Sequence, residues 1–72
     1  MPSTVIRRFE YMSDTKQLWV EFTTGRRYIY SDVPDDVAAR FRSAFSKGIH
    51  FNKNIRSNYP HREVFDEPES NS

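Results

Sequence analysis

Apolar and polar side chains alternate along two runs in the first half of the chain. Leu18, Val20 and Phe22 alternate with Trp19 and Glu21, and Tyr28 and Tyr30 flank Ile29. Thr23-Thr24-Gly25 lies between the runs. Period-two alternation of β-branched and aromatic residues around a glycine-containing turn predicts a β-hairpin. A three-residue loop with Gly25 in the left-handed region pairs Phe22 with Arg26, Val20 with Tyr28 and Leu18 with Tyr30. A two-residue loop shifts the register by one and turns both tyrosines to the Trp19 side. The three-residue loop is preferred because it joins Leu18, Val20, Phe22, Tyr28 and Tyr30 into the single apolar face that a core requires.

Upstream, residues 4–12 (TVIRRFEYM) read as a first strand, and Ser13-Asp14-Thr15-Lys16 as a turn. A four-residue loop pairs Tyr11 with Leu18 and Phe9 with Val20, which adds both rings to the same face. The other face then carries Arg8, Glu21 and Arg27 in one cross-strand row, expected as a solvated face of compensated charge. The alternation fails at Val5-Ile6-Arg7, where a bulge is expected. Trp19 beside Ile29 on that outer face calls either for cover from the C-terminal segment or for a small contact patch.

After Tyr30 the apolar period lengthens to that of a helix. Pro34 suits the first helical position, and Asp35 and Asp36 suit the positive end of the helix dipole. Val37, Phe41, Ala44 and Phe45 form a stripe expected to pack on the sheet, with Asp36 and Arg40 paired on the exposed side. Ser46-Lys47-Gly48 breaks the pattern. A second helix is expected over 47–57, with Phe51 and Ile55 buried and Lys53 pointing outward. Tyr59-Pro60 closes it. Residues 61–65 can form a short extended segment along the sheet, and 66–72 are acidic and nearly free of apolar residues, hence expected to be disordered. The predicted fold is α+β: a three-stranded antiparallel meander packed against one or two C-terminal helices, with an optional short C-terminal strand. One domain spans 1–65 and a tail spans 66–72.

Length and composition narrow the function classes. Seventy-two residues allow one small core. Cysteine is absent, which removes disulfides and thiolate metal sites and suits a reducing compartment. No apolar run approaches the ~18 residues of a membrane helix, so a cytoplasmic monomer with no membrane contact is expected. Charge is uneven: residues 1–62 hold all 11 basic side chains and 6 of the 10 acidic ones, leaving +5, while Glu63, Asp66, Glu67 and Glu69 follow. A basic body attracts polyanions, although a solvated surface with a solubilising tail has the same composition.

Catalytic chemistry is not expected. The two histidines, His50 and His61, have no companion ligands, no nucleophile elbow is present, and no glycine-rich loop could cradle a phosphate. No metal or cofactor is expected. Lys47, His50, Lys53, Asn54, Arg56, Tyr59 and Arg62 cluster in sequence as candidate nucleic-acid contacts. Cations neutralise phosphates, rings stack on bases, and amides read base edges. Tyr28 and Tyr30 are expected as half-buried core residues whose hydroxyls reach a partner near Lys47 or Asn54. The rival reading is a protein-interaction module anchored by Trp19 and Ile29.

Three blocks recur in order: Tyr28-x-Tyr30 after Gly25, Val33-Pro34 at a helix start, and Ser46-Lys47-Gly48-x-x-Phe51-Asn52-Lys53-x-Ile55-Arg56 closed by Tyr59-Pro60. This arrangement resembles the KTSC domain, over about residues 3–64. The last block is the specific one. The resemblance implies a small bacterial or phage domain that occurs alone or at the C-terminus of some lysyl-tRNA synthetases. RNA binding is the role the resemblance suggests; with the basic C-terminal helix and the missing catalytic motifs, a non-enzymatic module for tRNA-like or single-stranded RNA is expected. Arg26, Arg27 and Trp19 depart from the family pattern and add charge and an aromatic ring.

The tail gives the first prediction. Deleting residues 67–72 removes Glu67 and Glu69 and no large apolar side chain. The melting temperature should be unchanged and affinity for a polyanion should rise. A drop of several degrees would show that the tail packs.

Overall fold

The structure, a computed structural model, describes residues 6–66. Strands β1 (Ile6–Met12), β2 (Gln17–Phe22) and β3 (Arg27–Tyr30) are followed by helices α1 (Asp35–Ser43) and α2 (Lys47–Asn54) and by β4 (His61–Val64). The strands form one sheet in the order β1-β2-β3-β4 with every neighbouring pair antiparallel. The fold is therefore α+β, and the segment read as an optional extra strand is β4.

The β2–β3 loop sets the register. The Phe22 N–H donates to the Arg26 carbonyl at 2.9 Å, and the Gly25 N–H donates to the Phe22 carbonyl at 2.9 Å. Gly25 has φ +96°, where a side chain would be strained. Leu18 consequently faces Tyr30 and Val20 faces Tyr28, as the three-residue loop requires. On the other side Tyr11 faces Leu18 and Phe9 faces Val20, and the ladder slips between Ile6 and Arg8, where the bulge was expected. One face thus carries Phe9, Tyr11, Leu18, Val20, Phe22, Tyr28 and Tyr30. Val33, Ala38, Phe41, Phe51 and Ile55 close the core over it. Each large side chain buried there contributes about 1.5–3 kcal/mol.

The helices differ from expectation in three places. Pro34 is the N-cap of α1, with ψ 157°, and not its first helical residue. Its extended backbone aims the carbonyl at the Val37 and Ala38 N–H groups, both at 3.1 Å. Second, α1 ends at Ser43, and Ala44 is already extended (ψ 139°). Phe45 therefore leaves the helical stripe and is fully exposed, at 104%. It is not a core residue, while Phe41 is, packed on Phe9 with ring centroids 4.6 Å apart. Third, α2 stops at Asn54, three residues short of the expected 57. The Ile55 and Arg56 N–H groups share the Phe51 carbonyl, and the Asn58 side chain takes the Asn54 carbonyl at 2.8 Å. Phe51 and Ile55 are buried as their spacing predicts. Asp36 and Arg40 pair at 3.5 Å.

The outer sheet face is not simply solvated. Glu21 is only 3% exposed. Arg8 Nε reaches its carboxylate at 2.6 Å, with Arg7 at 3.7 Å and Arg27 at 3.9 Å. The Arg8 guanidinium lies 5.3 Å from the Trp19 ring centre, and Trp19 Nε1 donates to the Asp66 carbonyl at 3.1 Å. Arg27 donates to the Phe65 carbonyl at 2.8 Å. Trp19 is thus covered (1% exposed) and offers no contact patch, which removes it as a docking anchor. Asp66, assigned to the tail, holds this cover. The rest of the tail, 67–72, lies outside the described residues, and so does the disorder expected of it.

Two predictions follow from packing and charge. A single core of this size rarely supplies more than about 3–5 kcal/mol, and Phe→Ala in a core costs about as much. Phe41→Ala should leave the chain largely unfolded at 25 °C, while Phe45→Ala should change stability by less than about 0.5 kcal/mol in urea titrations. Equal losses would contradict the helix boundary. The Arg8 hydrogen bond holds the Glu21 carboxyl below the usual carboxylate range, helped by the charges of Arg8, Arg27 and Arg7 and opposed by burial. A depressed folded-state value gives stability above the unfolded value of about 4.3, lost as pH falls through the folded value. The melting temperature should fall below about pH 4.5, and Glu21→Gln, lower at pH 7, should converge on the wild type over that range. A constant gap would rule out a charge-dependent contribution.

Candidate functional site

Helix α2 covers the middle of the core face and leaves its β2–β3 end open. Phe51 wedges between Phe22 and Tyr30, with ring centroids at 5.6 and 5.1 Å. Beyond it lies a cleft of about 930 Å³, within the size range of small-ligand sites. One wall is the hairpin end: Phe22, Thr23, Thr24, Arg26 and Tyr28. The other is the last turn of α2 and the connection to β4: Asn52, Arg56, Ser57, Tyr59 and Pro60. Tyr30, Phe51 and His61 complete the lining.

Strand alternation builds the aromatic floor. Tyr28 and Tyr30 point to the same side, 6.5 Å apart. His61 pairs with Tyr30 across β3–β4 and stacks on it at 4.9 Å and 28°, while its edge meets Tyr28 at 5.7 Å. Tyr30 is buried, but Tyr28 is half-buried because α2 stops short of it. The register is as expected, yet one tyrosine stays open to a ligand. The hydroxyl of Tyr28 accepts from Arg26 at 3.4 Å, not from a group near Lys47 or Asn54.

Two cations flank the rings. The bond to Tyr28 raises the basicity of Arg26, and the charge of Glu63 adds to it. Burial pushes the Tyr30 phenol up, and the nearby Arg56 charge pulls it down. Arg56 donates to Asn52 Oδ1 at 3.3 Å, one helical turn back. Among the described residues no aspartate or glutamate lines the cleft itself, although Glu63, opposite Tyr28 on β4, lies near enough to Arg26 to act on it. The cleft can therefore hold a flat ring and an anion together.

The structure divides the seven candidates taken from sequence. Arg56 and Tyr59 line the cleft. Lys47 is half-buried and donates to the Ala44 carbonyl at 2.9 Å, closing the end of α1. His50 leans on Phe41 at 6.2 Å, and Asn54 donates to the His50 carbonyl at 3.2 Å, so both serve α2 itself. Lys53 is exposed on α2 outside the cleft. Arg62 faces Ile29 on the opposite side of the sheet. Asn52, a neighbour of these candidates in sequence, also lines the cleft, and so do Arg26, Tyr28 and His61, which sequence adjacency did not select. Alternation was the available signal: once 61–64 pairs with β3, His61 and Arg62 must point to opposite faces.

The KTSC domain family profile matches residues 2–59. A lysine–tRNA ligase of Nostoc punctiforme is 41% identical over 56 residues, 78% of this chain. The match covers 10% of that protein, so the chain spans about a tenth of the length of the curated relative it matches. The crystal structure of a KTSC domain protein from Yersinia pestis superposes with a TM-score of 0.82 at 30% identity, covering 89% of this chain and 90% of that one.

Proposed function

The chain belongs to the KTSC domain family, and from the lining of its cleft we propose that it binds single-stranded nucleic acid. A base lies on the open face of Tyr28 beside Tyr59 and His61, and flanking phosphates meet Arg26 and Arg56. The observation that carries this reading is the combination of part-exposed rings and two guanidiniums in one cleft. Rings stack on bases of any sequence, and cations supply the salt-dependent part of affinity. Lys53, one turn from Arg56 on the exposed side of α2, continues the cationic track along the strand. RNA is the favoured polymer, in keeping with the similarity to a segment of a tRNA ligase.

A protein-binding reading has a different footing from the Trp19 and Ile29 patch read from sequence. Phe45 is 104% exposed and Ile49, four residues on, is 57% exposed. Such a contact would be nearly insensitive to salt, which separates the two readings.

The test is a set of salt titrations on a short single-stranded RNA. Each phosphate contact contributes about 0.7 to the slope of log affinity on log salt. The double change Arg26→Ala with Arg56→Ala should flatten the slope by about 1.4, Lys53→Ala by about 0.7, and Arg62→Ala not at all. Unchanged slopes in folded variants would remove the cleft from the interface. Absence of RNA binding at low salt would contradict the proposal itself.

A further inference from the structure

We propose that the bound strand continues from the cleft along the exposed face of α2, and that Phe45 at the far end is a second stacking platform for one of its bases. This rests on the nucleic-acid reading above and adds a binding residue and a footprint to it. Ile49, Asn52, Lys53 and Arg56 recur at intervals of three and four residues and are all exposed, so they form one stripe along α2 and its last turn. Gly48, Phe51 and Ile55 are buried on the other side. The stripe ends at the cleft, which Asn52 and Arg56 line. It begins at Phe45, one residue before the Ser46 N-cap. The Phe45 ring is fully exposed, so both of its faces are open to a ligand.

The charge around this stripe selects the occupant. From Val37 to Arg62 the chain carries no aspartate or glutamate, while Arg42, Lys53 and Arg56 are exposed. A surface of one sign attracts a polyanion. Phosphates follow Lys53 and Arg56, and an aromatic ring on such a track takes a base of any sequence. Phe45 and Ile49 are also the side chains that a protein contact would use. An apolar contact alone, however, needs neither the cations beside them nor the cleft at the end of the stripe. The eight residues of α2 span about 12 Å. At ~3.4 Å per stacked nucleotide that is about four nucleotides. A dinucleotide seated in the cleft stops short of Phe45, and an octanucleotide reaches it.

The experiment measures anisotropy of a labelled single-stranded octaribonucleotide of mixed sequence with the wild type, Phe45→Ala, Phe45→Leu and Phe45→Trp, folding being checked by circular dichroism. Phe45→Ala and Phe45→Leu should both weaken binding by about 5- to 150-fold, the range for one stacked base, with the salt slope unchanged. Phe45→Trp should keep the affinity. Its fluorescence should be quenched on binding beyond any change in the wild type, which carries Trp19 alone. Toward a dinucleotide, followed by chemical shifts, Phe45→Ala should bind as the wild type does. A loss in Phe45→Ala but not in Phe45→Leu would show a merely apolar contact and overturn the platform. Equal octanucleotide affinity of Phe45→Ala and the wild type would overturn it too, while leaving intact the cleft reading, which the paired Arg26 and Arg56 changes test separately. Binding to vesicles of anionic lipid that depends on Phe45, with no loss toward RNA, would assign the ring to a membrane and overturn the proposal. Failure of the wild type to bind any strand at low salt would overturn both readings.

Discussion

The pairing of β2 with β3 is the constraint on which the rest of the molecule depends. The Thr23-Thr24-Gly25 loop admits this register because Gly25 takes φ +96° at no steric cost. A slip of one residue would exchange the two faces of β3. Tyr28 and Tyr30 would move to the Trp19 side, and Arg27 would leave Glu21. The core, the ion cluster and the aromatic floor are therefore set together by a single turn. The outer face reinforces it, since Glu21 binds arginines from both β1 and β3, and a carboxylate so buried is costly without them.

Much of this was legible in the residues. Alternation located the strands, the loop chemistry chose the register, and the failed alternation at Val5-Ile6-Arg7 marked the bulge. Helix ends were less legible. The 3.6-residue period continues through Ala44 and Phe45, yet the backbone turns extended at Ala44. No proline or glycine stands at that position. The Lys47 side chain takes the Ala44 carbonyl from three residues on, a stop signal that composition does not reveal. Burial of Glu21 was equally hidden. Its charged neighbours read as solvated when the three arginines gathered on the carboxylate are not in view.

The candidate site was legible in part for a similar reason. Residues close in sequence after Ser46 looked like one cationic cluster, but α2 and β4 distribute them. Lys47 is used to close a helix, Arg62 goes to the far face, and Arg56 and Tyr59 reach the cleft. The opposite wall comes from the hairpin more than twenty residues earlier, so only the fold joins Arg26 and Tyr28 to Arg56. The two tyrosines, both expected in the core, take different roles. Tyr30 completes the core under Phe51, and Tyr28, on the same face one pair further along, remains accessible.

The central claim is that this open end of the core face is where a strand binds. Titration of the labelled protein with a short single-stranded RNA, followed by amide and aromatic chemical shifts, tests it most directly. The account predicts saturable shifts at Arg26, Tyr28, Asn52, Arg56, Tyr59 and His61, with Trp19 and Arg62 unmoved. Shifts confined to the exposed Phe45 and Ile49 region, or spread over the outer sheet face, would contradict it.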